Sequence, residues 1–225
     1  FTNTRGPAGS KISIPMMHKT DSGLRPYYLT HEFTSHDAPF DNEIVFLIDL
    51  PPNIDVVIDY INTNNLTIGG AFITHGHWDH AIGLSSFDSK AYINLDDEHL
   101  ARNPSEQIGD FLGDKVSVNK YEGNLHNVLD HEYDFLNVYI NPGHTKGSVS
   151  FEFKDLGVVF TGDFIFKDSI GRTDLYSGDN NEMIDSINNV FTLFQDDFQL
   201  FPGHGDDDTV INIKNNNPFI REYLK

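Results

Sequence analysis

From Glu43 onward the chain breaks into short apolar runs separated by Gly, Asn, Asp and Pro, and the period of each run predicts an element. Ile44 to Asp49 (IVFLID) is apolar, rich in β-branched residues and closed by Pro51 and Pro52, which reads as a buried strand. Residues 53–65 place Ile54, Val57, Ile58 and Ile61 at helical spacing, with Asn53 as N-cap and the Asn64-Asn65 pair as the stop. Further strands are predicted at Gly70–Thr74, Ala91–Asn94, Lys115–Val118, Val138–Asn141, Val149–Phe153, Val158–Thr161 and Gln199–Phe201. A second helix is expected over 180–194, through Met183, Ile187, Val190, Phe191 and Phe194, and a short one near Pro218–Leu224. Many short strands with a few helices between them imply an α/β (α+β) layered fold, packed sheets covered by helices in an αββα sandwich. With no internal repeat and no linker, residues 1–225 read as a single domain, of which 1–42 form an atypical N-terminal segment.

Charge narrows the partners. Fifteen basic residues against 34 acidic ones give a formal charge of −19, which repels phosphate backbones and disfavours nucleic acid. No apolar run approaches the roughly 18 residues of a membrane span, so no membrane partner is expected. The first 30 residues reverse the balance, with Arg5, Lys11, Lys19 and Arg25 against Asp21. A basic, loosely ordered arm is the preferred reading; a targeting remnant would convert a cytoplasmic location into an organellar one, but the apolar stretch of a secretory signal is missing. The chain has no cysteine, so disulfides, thiolate ligands and a cysteine nucleophile are excluded and any metal must be held by nitrogen and oxygen.

Those nitrogens and oxygens are concentrated. Directly after the strand ending at Thr74 stands THGHWDH, with His75, His77, Asp79 and His80 inside six residues. On an extended loop His75 and His77 project to one side, whereas Asp79 and His80 turn away as a helix begins, so one loop can serve two neighbouring ions. Downstream, His144 lies in PGHTKGS, Asp163 in TGD and His204 in PGHG, each after a predicted strand. Strand-end loops gather on one edge of a sheet, where distant residues converge, and the flanking glycines let backbone approach a ligand closely. A histidine-rich loop without metal would explain THGHWDH alone but not the three further sites at strand ends.

THGHWDH, PGHTKGS, TGDFIF and PGHG, in this order, resemble the metallo-β-lactamase superfamily, and in particular its glyoxalase II-like hydrolases. The likeness runs from Glu43 to Lys225 and includes SIGRTDLYSGD at 169–179 and the terminal NPFIREYL. It implies that His75, His77 and His144 hold one divalent ion, that Asp79, His80 and His204 hold a second, and that Asp163 bridges them. Zinc is the first choice, with iron or manganese compatible with the same ligand types. Asp79 and Asp163 are the expected catalytic carboxylates.

Two cations sharing a water lower its pKa towards about 7 and supply a nucleophile without any Ser or Cys. A thioester suits such a centre, because a thiolate leaving group with a conjugate acid near about 8.5 needs no strong general acid. The resemblance therefore implies a small thioester or ester substrate of the hydroxyacylglutathione kind, with lactones and small phosphoesters as neighbouring options. Longer glyoxalase II enzymes bind glutathione through a C-terminal helical extension that this chain, with 21 residues after His204, largely lacks. Arg172, Tyr176, Lys214, Arg221 and Tyr223 are the candidate substitutes; Arg172 could equally pair with Asp174, and Lys146 reads as a solvated loop residue. Trp78 could wall the pocket, with packing under the loop slightly preferred. Leu50-Pro51-Pro52 stands where the family more often has Asp-Pro-Gly. A different class, the one-iron persulfide dioxygenases of the same superfamily, needs only two histidines and one carboxylate, which leaves Asp79, His80 and His204 unexplained.

Overall fold

The computed structural model describes residues 44–112 and 118–224 and, ahead of them, the backbone of four short strands, β1 (Ala8–Lys11), β2 (Met16–Thr20), β3 (Gly23–Tyr27) and β4 (Glu32–Thr34). The sequence pattern offers no element there, since strands of three to five residues in a Ser/Gly/Pro-containing stretch have no periodic run to announce them.

The chain then runs β5 (Ile44–Ile48), α1 (Ile54–Thr63), β6 (Thr67–Phe72), α2 (Trp78–Ala81), β7 (Ala91–Ile93), α3 (Glu98–Arg102), α4 (Pro104–Leu112) and β8 (Leu125–Asn127). It continues through β9 (Asn137–Ile140), β10 (Val149–Phe153), β11 (Val158–Gly162), α5 (Asn180–Asn189), β12 (Gln199–Pro202), β13 (Asp208–Thr209), α6 (Val210–Asn216) and α7 (Pro218–Tyr223). One sheet has the order β4-β1-β5-β6-β7-β8 and the other β13-β12-β11-β10-β9. Strands β5 to β8 are mutually parallel, so they all end on the same edge.

Period-2 alternation builds three apolar layers. Val45, Leu47, Ala71 and Ile73 face Ile54, Val57 and Ile61 of α1. Ile48 and Phe72 face Val149, Phe151, Phe153 and Phe160 of the second sheet. On that sheet's far side Val159 and Leu200 meet Met183 and Ile187 of α5, with Val210, Ile213 and Ile220 of α6 and α7. The layers are helix, sheet, sheet, helix, the αββα arrangement the pattern implies. No helix among the described residues is long and apolar enough to cross a membrane.

Several expectations are corrected. Asn53 does not cap α1 with its side chain; it sits at φ 67, φ/ψ space where Asn is tolerated, as the chain turns out of Pro51-Pro52. The helix expected over 180–194 ends at Asn189 and passes into a short 3₁₀ turn at Phe191–Leu193, whereas its start is capped by Asp179, whose carboxylate accepts from the N–H groups of Asn181 and Glu182. Three helices and two strands, β8 and the two-residue β13, are additional. Pro104 divides α3 from α4 into pieces too short to show a period, asparagines mask the Val210–Ile213 spacing of α6, and β8 is three half-buried residues. Most of the strand expected at Lys115–Val118 lies outside the described residues.

Candidate metal centre

Each candidate ligand follows the end of a strand, and register explains why they meet. Parallel β5 and β6 run side by side from Ile44↔Thr67 to Ile48↔Phe72, so Asp49 and the loop beginning at Thr74 emerge together. β10 and β11 are antiparallel and β11 and β12 parallel, which puts Asp163 after β11 next to Gly203 and His204 after β12, with the Gly203 N–H donating to the Gly162 carbonyl at 2.8 Å. The Val149 N–H donates to the Thr74 carbonyl at 2.9 Å, joining the two sheets beside His144.

All seven predicted side chains converge. Nδ1 of His77 and Nε2 of His144 are 2.8 Å apart, and Nε2 of His80 lies 3.3 Å from Nε2 of His204. His204 Nε2 is 3.0 Å from Asp79 Oδ2. Asp163 stands between the groups, with Oδ1 3.3 Å from His80 Nε2 and Oδ2 3.5 Å from His144 Nε2 and 3.6 Å from His204 Nε2. One ligand atom each from His75, His77 and His144 lie within 4.8 Å of one another, as do those of Asp79, His80 and His204.

Hydrogen bonds outside the cluster fix which ring nitrogen faces in. His144 Nδ1–H donates to the Arg172 carbonyl at 2.7 Å, leaving Nε2 as the inward lone pair. Thr74 has one hydroxyl proton, which it donates to the Asp49 carboxylate at 2.9 Å; at 3.1 Å His75 Nδ1 must therefore be the donor to that oxygen. The His75 Nε2 lone pair is then turned inward, fully buried and without a hydrogen-bond partner. Buried polar atoms are seldom left so, and a cation is the group that would satisfy this one.

The electrostatics of five of the seven side chains suit such a role without any proton loss. Burial first, then the neighbouring imidazoles, push His75 well down and His77 to about 3, and burial also lowers His144, so these three rings are neutral near pH 7. Burial opposes charge on Asp79 and Asp163, yet the surrounding histidines hold both carboxyls below the usual range and ionised. His80 is also buried, but the carboxylates of Asp49 and Asp163 raise it above an ordinary imidazole; the Asp79 hydrogen bond raises His204. Neutral imidazole and ionised carboxylate are the forms that bind a divalent ion.

Two functional residues went unread in the sequence. Asp49, 9% exposed, accepts from His80 Nδ1 at 2.7 Å as well as from Thr74, and so orients two ligand rings at once. In the sequence it reads only as the last residue of the IVFLID strand, whereas β5 ends at Ile48. Asp97, 1% exposed, accepts from the N–H of Gly76 and of Gly147, each at 2.8 Å, and from the Thr145 hydroxyl at 2.6 Å. It ties the THGHWDH loop to the PGHTKGS loop.

A cavity of about 610 Å³ opens over His77, Asp79, His144 and Asp163. Trp78 lines it, as do Arg172 and Tyr176. Lys214 does not: its ammonium is 2.6 Å from Asp196 and lies over the Phe191 ring, on the helical layer behind the second sheet. Arg221 and Tyr223, on α7 in that same layer, are likewise absent from the lining. Lys146 is exposed, 3.5 Å from Asp96.

Comparison with known proteins gives a consistent picture. The family model described as the metallo-beta-lactamase superfamily matches residues 40–204, and one described as amino acid synthesis matches residues 1–51. An uncharacterized protein of Mycobacterium tuberculosis is 30% identical over 177 residues, covering 71% of this chain and 79% of that relative. The hydroxyacylglutathione hydrolase GloC of Haemophilus influenzae is 29% identical over 193 residues, covering 80% of this chain and 89% of the relative. The crystal structure of the BLEG-1 B3 metallo-beta-lactamase superposes with a TM-score of 0.72 at 26% identity, over 80% of this chain and 90% of that one.

Proposed function

The chain belongs to the metallo-beta-lactamase superfamily, and from that premise we propose that it is a dinuclear metal-dependent hydrolase of small thioesters, of the hydroxyacylglutathione hydrolase type. The observation that carries the reading is Asp163, whose two oxygens reach a histidine of each ligand group, as a carboxylate shared by two ions must. His75, His77 and His144 would hold one ion and Asp79, His80 and His204 the other, with zinc favoured by the nitrogen and oxygen donors. Divalent ions bound there supply Lewis acidity towards a carbonyl oxygen and bring the pKa of water towards about 7.

The chain's own groups do the rest. The inward lone pairs of His75 and His144 are set by Thr74 and by the Arg172 carbonyl before any ligand arrives, so no reorganisation is needed at the moment of reaction. Asp79 and Asp163 are ionised and line the cavity, placing negative charge and proton-accepting oxygens beside the attacking water. In the reaction a water oxygen bonds to the carbonyl carbon, the C–S bond breaks, and the products are a carboxylate, a thiol and one proton. The thiolate leaves with a conjugate acid near about 8.5, so the step requires no strong general acid. The similarity to GloC supports this class of substrate. An oxidoreductase built on one iron would give Asp79, His80 and His204 nothing to do.

The test is metal content per chain, followed on the same metal-loaded sample by turnover of S-lactoylglutathione beside a lactone, a β-lactam and a phosphodiester. Two ions per chain and dominant thioester hydrolysis are expected. His77→Ala and Asp163→Ala should both abolish turnover through loss of metal, and retained turnover in Asp163→Ala would refute the shared-ligand role.

A further inference from the structure

Away from the ligand cluster the cavity has an apolar wall. Trp78 on α2, Leu100 on α3 and, from the loop after β11, Phe166, Ile170, Leu175 and Tyr176 form it. Usable positive charge is scarce. Arg172 is the one Lys or Arg lining the cavity among the described residues, and it is already committed: its Nε donates to Asp174 Oδ1 at 2.7 Å and a terminal nitrogen to Oδ2 at 2.8 Å. That fork holds the Asp174 carboxyl down at about 2, so the pair stays ionised and closed on itself. The neighbouring lysines are engaged as well, Lys146 with Asp96 and Lys167 with Asp208. On the opposite rim Glu106 adds negative charge 3.1 Å from His99 Nε2, and the His99 ring stands 6.1 Å from that of Tyr176.

A glutathione leaving group presents two carboxylates, and tight recognition of carboxylate is made by free cations, above all an unengaged arginine fork. An acidic rim on a chain of charge −19 works against it. Rings and aliphatic side chains, by contrast, gain about fourfold in binding for each methylene they remove from water. We infer that this cavity selects an uncharged thioester by an apolar chain beside the carbonyl and does not recognise the carboxylates of glutathione. The inference rests on the thioesterase reading and specifies what that site discriminates.

The experiment compares kcat/KM of the metal-loaded protein for S-lactoylglutathione with two uncharged series. One lengthens the acyl group of N-acetylcysteamine thioesters from lactoyl to 2-hydroxyhexanoyl; the other lengthens the thiol of lactoyl thioesters from methanethiol to hexanethiol. The lactoyl ester of N-acetylcysteamine should match or exceed S-lactoylglutathione, and at least one series should rise by about tenfold or more with length, since three methylenes at about fourfold each give roughly 60-fold on full burial. Leu175→Ala, a half-buried loop residue whose truncation leaves the core layers intact, should flatten that rise. A tenfold preference for the glutathione thioester, or two flat series, overturns the inference and leaves thioester hydrolysis standing. No turnover of any thioester by a protein holding its metals overturns both.

Discussion

Replacing Asp97 by Asn tests whether the ligand loops are clamped from outside the metal centre. The carboxylate is 1% exposed and accepts three hydrogen bonds, with Oδ2 taking the Gly76 N–H and the Thr145 hydroxyl and Oδ1 taking the Gly147 N–H. An asparagine keeps the shape, and its least harmful orientation turns the NH₂ towards Gly147, so that one acceptor is replaced by a donor facing an N–H. Losing that charge-assisted bond costs about 1.5–3 kcal/mol, and the two survivors drop to roughly half their strength as the charge disappears. Burial pushes the Asp97 carboxyl upward, so removing its charge recovers part of this desolvation penalty. The expected net destabilisation is about 2–3 kcal/mol, or roughly 5–10 °C in Tm for a chain of this length. Because Gly76 lies between two ligands and Gly147 follows His144 by three residues, metal affinity should fall about 10- to 100-fold, as for other changes behind a ligand. Urea unfolding of the stripped and loaded protein, with competitive chelator titration, measures both. Asp96→Asn, its exposed neighbour paired with Lys146, is the control and should shift stability by less than about 0.5 kcal/mol. Wild-type stability and metal affinity in Asp97→Asn would refute the clamp.

Gly203→Ala should cost the site its metal more than it costs the fold its stability: a Cβ there would overlap Asp163 Oδ1 and His80 Cε1, and elemental analysis showing full metal occupancy would contradict the observed packing. The pH dependence of metal uptake follows from the imidazoles. His80 and His204 have raised pKa values, so they carry protons below those values and must lose them to bind a cation; apparent affinity therefore declines as pH falls through the raised pKa values. His77, near 3, contributes nothing to this decline above about pH 4. Calorimetric zinc titrations of the stripped protein near pH 6.5, in two buffers of different ionisation enthalpy, should report net proton release; no release would contradict the assignment.

The candidate ligands stand out in the chain because it has 11 histidines in all, and the five candidates each sit beside glycine or another candidate ligand in loops that follow apolar runs. Chemistry and position coincide at those sites. The residues that orient them do not share that property. Asp49 and Asp97 are two among 34 acidic residues in a chain whose surface is acidic throughout, and nothing in their spacing separates a buried carboxylate with three donors from a solvated one. Asp49 becomes special only when β5 and β6 pair in register and bring its carboxylate under Thr74 and His80; Asp97 only when a short 3₁₀ turn after β7 carries it between two loops 70 residues apart. The same holds for the cavity wall. Leu100 and Gln107 lie on α3 and α4, helices too short to declare themselves, yet Gln107 accepts the Trp78 backbone N–H at 3.0 Å and donates to the Leu100 carbonyl at 2.8 Å, holding the Trp78 backbone to α3 and α4 at the cavity's edge. A metal centre in this chain is therefore written twice: once as a set of side chains with the right chemistry, and again as pairings that give His75, His80 and His144 one tautomer and one direction. The second sets what surrounds the cluster: Lys214 and Arg221, chosen for their charge, lie behind the second sheet, while an apolar wall faces the candidate ligands.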